Sequence, residues 1–103
     1  MKIWIDDIRT APDGYKWRKS VNSAIRLIKD TERLNKTFKL NPIEVIDIDH
    51  DAGDFVYDGG DYIKLLDWLE ETGRNYPIHI HSMNPVDIEN MRRIIKKNGW
   101  IEV

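Results

Sequence analysis

Short apolar runs that stop at carboxylates, separated by longer stretches with helical spacing, set the pattern of this chain. Lys2 to Ile5 reads as a strand that ends abruptly in Asp6 and Asp7. The Pro12-Asp13-Gly14 turn follows. From Tyr15 to Arg18 aromatic and basic residues alternate, which predicts a half-exposed strand near an edge of the sheet. Ser20 offers an N-cap to a helix with an apolar stripe of Val21, Ala24, Ile25 and Ile28, extended to Leu34. After a polar connection through Asn35, Lys36 and Lys39, Pro42 introduces a central strand, Glu44 to Asp49.

That strand runs into Asp49-His50-Asp51 and a loop containing Gly53, Gly59 and Gly60. Asp61 then caps a second helix with Tyr62, Leu65, Leu66 and Leu69 inward, and Gly73 stops it. Ile78 to His81 is the next strand. Asn84-Pro85 with Asp87 starts a third helix, with Ile88, Met91, Ile94 and Ile95 inward and Lys96, Lys97 and Gly99 at its end. Trp100 to Val103 forms a last strand. Strands alternating with helices predict an α/β fold: one flavodoxin-like or receiver-like open sheet of about five mostly parallel strands with about three helices, covered on both faces.

A length of 103 residues fits a single domain over the whole chain. With 41% hydrophobic and 33% charged residues, the composition is that of a globular protein. The absence of cysteine excludes a disulfide framework, a thiolate zinc site and a cysteine nucleophile. The first apolar run is broken at once by Asp6 and Asp7, so it does not read as a signal peptide, and no run approaches the roughly 20 residues of a membrane span. A cytoplasmic location is the expectation, with no membrane partner. A net charge of −2 argues against bulk binding to duplex DNA. The average hides an asymmetry: Lys16 to Lys39 carries eight Lys or Arg against Asp30 and Glu32, whereas Asp47 to Asp61 carries six aspartates and no basic residue.

In open parallel sheets the loops at the carboxyl ends of the strands build the ligand site. That rule brings Asp6 and Asp7 together with Asp49, His50 and Asp51 and with His81, Ser82 and Asn84. Carboxylates gathered on one rim repel each other unless a cation sits among them. Hard oxygen donors favour a divalent metal such as Mg²⁺ or Mn²⁺, with a histidine ligand shifting the preference toward Mn²⁺. A metal beside a histidine suits phosphoryl chemistry. Bland alternatives stand beside these readings: adjacent aspartates also end strands, Asn84 also caps a helix, and Ser82 also serves a turn. His79, deeper in its strand, reads as a structural histidine, and Asp47 has no assignable role. Trp17, between Lys16 and Arg18, is placed for stacking or for a solvated edge, while Arg26, Lys29, Arg33 and Lys36 read as a solvent-facing helix surface.

Ile5-Asp6-Asp7-Ile8-Arg9, Ile48-Asp49-His50-Asp51, Gly60-Asp61-Tyr62 and His81-Ser82-Met83-Asn84-Pro85 resemble, in order and spacing, the cyclic-phosphate-processing receiver-like family. That family is related to response-regulator receiver domains with a flavodoxin-like sheet. The resemblance implies that Asp6 and Asp7 match the receiver's acidic pair for the metal, that Asp49 stands near its phospho-acceptor, and that Ser82 stands near its hydroxyl residue. Two departures weigh against a phosphorylation switch. No lysine follows the last strand, and the Thr10 to Gly14 turn replaces the helix between the first two strands.

The leading expectation is a metal-dependent phosphoesterase acting on a cyclic nucleotide or a cyclic-phosphate RNA end. Asp6, Asp7, Asp49 and Asp51 would hold the metal, His50, His81 and Asp49 would carry catalysis, and Arg9, Ser82 and Asn84 would contact phosphate. The alternative is a non-catalytic module that sequesters a cyclic nucleotide or presents a receiver-like surface to a protein partner.

Overall fold

The computed structural model describes residues 1–38 and 42–103. Lys39, expected in the first polar connection, lies outside them. The chain runs β1 (Lys2–Ile5), β2 (Tyr15–Arg18), α1 (Val21–Phe38), β3 (Val45–Ile48), a 3₁₀ turn (Gly53–Phe55), α2 (Ile63–Glu71), β4 (Ile78–Ile80) and α3 (Pro85–Asn98). The four strands form a parallel sheet in the order β2-β1-β3-β4. The expected fifth strand contributes a single parallel bridge, Glu102 with Ile78, which extends the order in the receiver-like sense.

The expectation that both faces are covered is overturned. Ile3, Ile5, Ile46, Ile48 and Ile78 point to one side and pack against Val21, Ala24 and Ile28 of α1, Leu65, Leu66 and Leu69 of α2, and Met91 and Ile95 of α3. The topology explains this. The connections β2-α1-β3, β3-α2-β4 and β4-α3-Glu102 all step in the same direction across the sheet, and right-handed crossovers stepping one way lie on one face. Only the β1–β2 connection steps the other way, and it carries no helix.

The second face therefore presents the alternate strand positions. Trp4 pairs in register with Trp17 and Asp47, and Asp47 with His79. Trp4 is nonetheless buried, closed in by Tyr15 edge-on at 5.8 Å, by the His81 ring, and by the chain at Arg9, whose carbonyl accepts from Trp4 Nε1 at 2.8 Å. His79 is exposed on this face, with Nδ1 2.6 Å from the Val103 carbonyl, so it is hydrogen-bonded without being deep.

Local signals set the helix ends. Ser20 Oγ accepts from the Ser23 amide at 3.1 Å while Ser23 Oγ accepts from the Ser20 amide at 3.3 Å, a reciprocal cap. Asn84 Oδ1 accepts from the amides of Val86 and Asp87, Pro85 takes the first helical position, and Gly99 closes α3 at φ +68°. Two expectations fail. Leu34 is exposed and Thr31 is buried in α1, because the inward stripe continues three residues beyond Ile28. Asp61 does not cap α2 with its side chain, since its Oδ1 takes the Ala52 amide at 3.3 Å.

Candidate functional site

Three strands deliver their following residues to one lip. Asp6 follows β1, Asp49 follows β3 and His81 follows β4, and one ligand atom from each lies within 4.8 Å of the other two. Backbone pairing holds the lip: the Asp49 amide donates to the Ile5 carbonyl at 3.0 Å and the His81 amide to the Ile48 carbonyl at 3.0 Å.

His81 is clamped. Its Nδ1 lies 2.6 Å from Asp47 Oδ1 and its Nε2 2.8 Å from Asp6 Oδ2, and its ring stacks on Trp4 at 3.9 Å with an interplanar angle of 2°. The side chains of His81, Asp6 and Asp47 are 8%, 3% and 9% exposed, so water contributes little to solvating them. Burial disfavours an imidazolium, but the hydrogen bonds and charges of Asp47 and Asp6 outweigh it and raise the pKa of His81. Burial likewise works against the Asp6 carboxylate, yet the amides of Arg9 and Ile8, both on Oδ1, together with His81 on Oδ2, lower its pKa overall.

Asp7 lies beside the cluster. Burial, followed by the neighbouring Asp6 and Asp49 carboxylates, pushes its pKa up. It sits against Gly53 of the 3₁₀ turn, which has φ +53°. A Cβ there would stand 2.2 Å from Asp7 Oδ2, so glycine is required both by its backbone and by the space. The same aspartates, after burial, push the Tyr62 phenol up, and its hydroxyl donates to the Lys19 carbonyl at 2.7 Å.

His50 stands beside this cluster and is more open, with 28% of its side chain exposed. Its Nδ1 is 2.6 Å from Ser82 Oγ and 3.1 Å from Asp49 Oδ1, while Nε2 faces Asp87 Oδ2 at 3.7 Å. Ser82 Oγ is buried and also accepts from the Asn84 amide at 3.1 Å. Asp51 lies next to His50. It is exposed, takes the Gly53 amide at 2.8 Å, and joins His50, Asp61, Asp87 and Asn90 around a hollow of about 380 Å³. Arg9 is exposed and reaches the His81 carbonyl at 3.5 Å. Asn84 is occupied as a helix cap through Oδ1.

Among the residues proposed from sequence, the structure thus brings together Asp6, Asp49, His50, His81 and Ser82, with Asp7 beside them, while Asp51 lines the adjoining hollow with His50. Sequence reasoning gave no role to Asp47, and left out Trp4 and Asp87. The signal for Asp47 was its place in a strand of isoleucines: alternation puts it opposite Ile46 and Ile48, on the face of Trp4, where a lone buried carboxylate demands a partner. Trp17 proves half-buried, with Nε1 donating to the Asp6 carbonyl at 2.8 Å, so it braces the lip from the edge strand. Arg26, Lys29, Arg33 and Lys36 are exposed along α1, as their spacing predicts.

Two carboxylates and an imidazole on one lip, with a third carboxylate beside them, match the donor set of a hard divalent cation that tolerates nitrogen. No helix among the described residues is long and apolar enough to cross a membrane.

Comparison with known proteins gives one result. No curated protein sequence and no solved structure matches the chain significantly. A family model described as the cyclic-phosphate processing receiver domain matches residues 1–97, in accord with the parallel receiver-like sheet and its polar carboxyl-end lip. The chain belongs to the cyclic-phosphate processing receiver domain family.

Proposed function

We propose that this domain is a metal-dependent phosphoesterase that opens a cyclic phosphate carried by a nucleotide or an RNA end. The observation that carries the reading is the meeting of Asp6, Asp49 and His81 within 4.8 Å. Asp6, Asp49 and His81 would hold Mg²⁺ or Mn²⁺, with Asp7 adding charge at their side. A bound divalent ion supplies polarisation of a phosphoryl oxygen and of water.

The remaining work belongs to the chain's own residues. A water oxygen forms a bond to phosphorus and gives up one proton, one ring ester bond breaks, and its electron pair leaves with the departing oxygen, which takes up one proton in turn, so that a phosphomonoester results. Of the two histidines, His50 suits the proton transfer better. His81 has both nitrogens paired and is enclosed, whereas His50 is more exposed and its Nε2 faces the hollow. Ser82 holds His50 at Nδ1, and Arg9 is the exposed guanidinium available to a phosphate oxygen.

Incubation with 2′,3′-cyclic and 3′,5′-cyclic nucleotides and with RNA ending in a 2′,3′-cyclic phosphate is expected to release monoester only with Mg²⁺ or Mn²⁺. Asp49→Ala is expected to abolish the release, and His50→Ala to reduce it by about 100-fold or more. Binding of a cyclic nucleotide without consumption would replace turnover by sequestration. Absence of both would end the reading.

A further inference from the structure

The proposed metal site needs an imidazole that presents a lone pair toward Asp6 and Asp49, and His81 has a carboxylate at each nitrogen. A neutral histidine carries one proton, so one carboxylate must lose its donor. We infer that Asp47 is the positioning residue that keeps the proton on Nδ1 of His81, leaving the Nε2 lone pair directed at the space between Asp6 and Asp49. The inference rests on the metal reading for its purpose, though not for its first test.

Three observations favour Asp47 over Asp6 as the proton's partner. The Asp47 contact is the shorter, 2.6 Å against 2.8 Å. Asp6 already has the amides of Ile8 and Arg9 on Oδ1, whereas His81 is the hydrogen-bond partner that the described residues give the Asp47 carboxylate. Asp47 is 6% exposed in mid-strand, where water cannot substitute for a lost donor, while Asp6 stands at the lip, where a cation can. Trp4, stacked on the ring, fixes the plane in which the two nitrogens point. A carboxylate behind a metal-binding histidine fixes tautomer and ring orientation in this way, and its loss typically weakens metal affinity about 10–100-fold.

The test has two readouts. Nitrogen-15 NMR of the chelator-treated protein in alkaline buffer is expected to show His81 protonated at Nδ1, with the proton moved to Nε2 in Asp47→Ala. A wild-type protein protonated at Nε2 overturns the inference whether or not any variant folds. Titration with Mn²⁺, followed by the loss of the free-ion spin resonance signal, is expected to show about 10–100-fold weaker binding for Asp47→Ala. Asp47→Asn, whose amide oxygen still accepts from Nδ1, is expected to stay within a few-fold of wild type. A folded Asp47→Ala with wild-type affinity overturns the inference. A wild-type protein that takes up no Mn²⁺ overturns the metal reading instead, and the nitrogen spectrum still decides the role of Asp47.

Discussion

Two charged clusters stand at opposite ends of the sheet and follow opposite rules. At the amino end, Glu32 of α1 accepts from Arg74 Nε and from Arg74 Nη2 at 2.9 Å, and the Tyr76 hydroxyl donates to its second oxygen. Arg74 also lies 4.3 Å from the Trp68 ring, so one carboxylate meets one fixed cation and every group is engaged. At the carboxyl end, Asp6 and Asp47 hold the imidazole of His81 and Asp49 meets that of His50, with Asp7 beside Asp6 and Asp49, while the Arg9 guanidinium lies exposed. The first cluster is balanced and ties α1 to the segment between α2 and β4. The second sets more carboxylates than basic groups side by side, and the proposed cation would answer that difference.

Removing a carboxylate from each end separates the two. Asp49→Ala is expected to abolish divalent-ion uptake while leaving thermal stability unchanged or slightly raised, because it relieves repulsion. Calorimetric melts with and without Mn²⁺ check this, and a large loss of stability in the metal-free protein would place Asp49 among ordinary structural residues. Glu32→Ala is expected to cost about 1–3 kcal/mol by stranding the Arg74 and Tyr76 donors, without changing Mn²⁺ affinity. Urea unfolding measures that difference.

The clusters also differ in the sign of their pH dependence. Burial alone would raise the pKa of Glu32, but the hydrogen bonds from Arg74 and Tyr76 outweigh it and lower the pKa. Its contribution is therefore present above the ordinary value of 4.5 and is lost as pH falls through the folded-state value. His81 has a raised pKa, so its contribution is fully present below 6.5 and is lost as pH rises through the folded-state value. Melting of chelator-treated protein across this range is expected to show an acid loss that Glu32→Gln flattens and an alkaline loss that His81→Gln flattens. If the two variants share one profile, the clusters are not independent. The smallest change, Arg74→Lys, keeps the charge but loses the paired donors, and about 1 kcal/mol of stability is expected to go with them.

How much of this was legible depended on the length scale of each signal. Ile5-Asp6, Ile48-Asp49 and Ile80-His81 mark strand ends by an abrupt change of polarity, and the carboxyl-end rule for parallel sheets then gathers them. The caps at Ser20 and Asn84 are local and were readable from residue type. That the second face carries no helix was not anticipated, because parallel sheets are normally flanked by helices on both sides. The clue lay in Ile3-Trp4-Ile5 and Ile46-Asp47-Ile48, whose alternation describes a sheet with one helical side. Asp47 stayed unassigned for the same reason. Its partner is 34 residues away, and only the sheet register brings them together. Asp51 looked equivalent to Asp49 in sequence, but the chain turns at Gly53, and the Asp51 carboxylate takes the amide of that glycine two residues on.

The central claim is that the carboxyl-end lip binds one divalent cation through side chains from three strands. Isothermal titration of the full chain with Mn²⁺ at neutral pH tests it most directly. The account predicts one ion per chain in the wild type and none in either Asp49→Ala or His81→Ala. Absence of binding in the wild type, or binding that survives both substitutions, would contradict it.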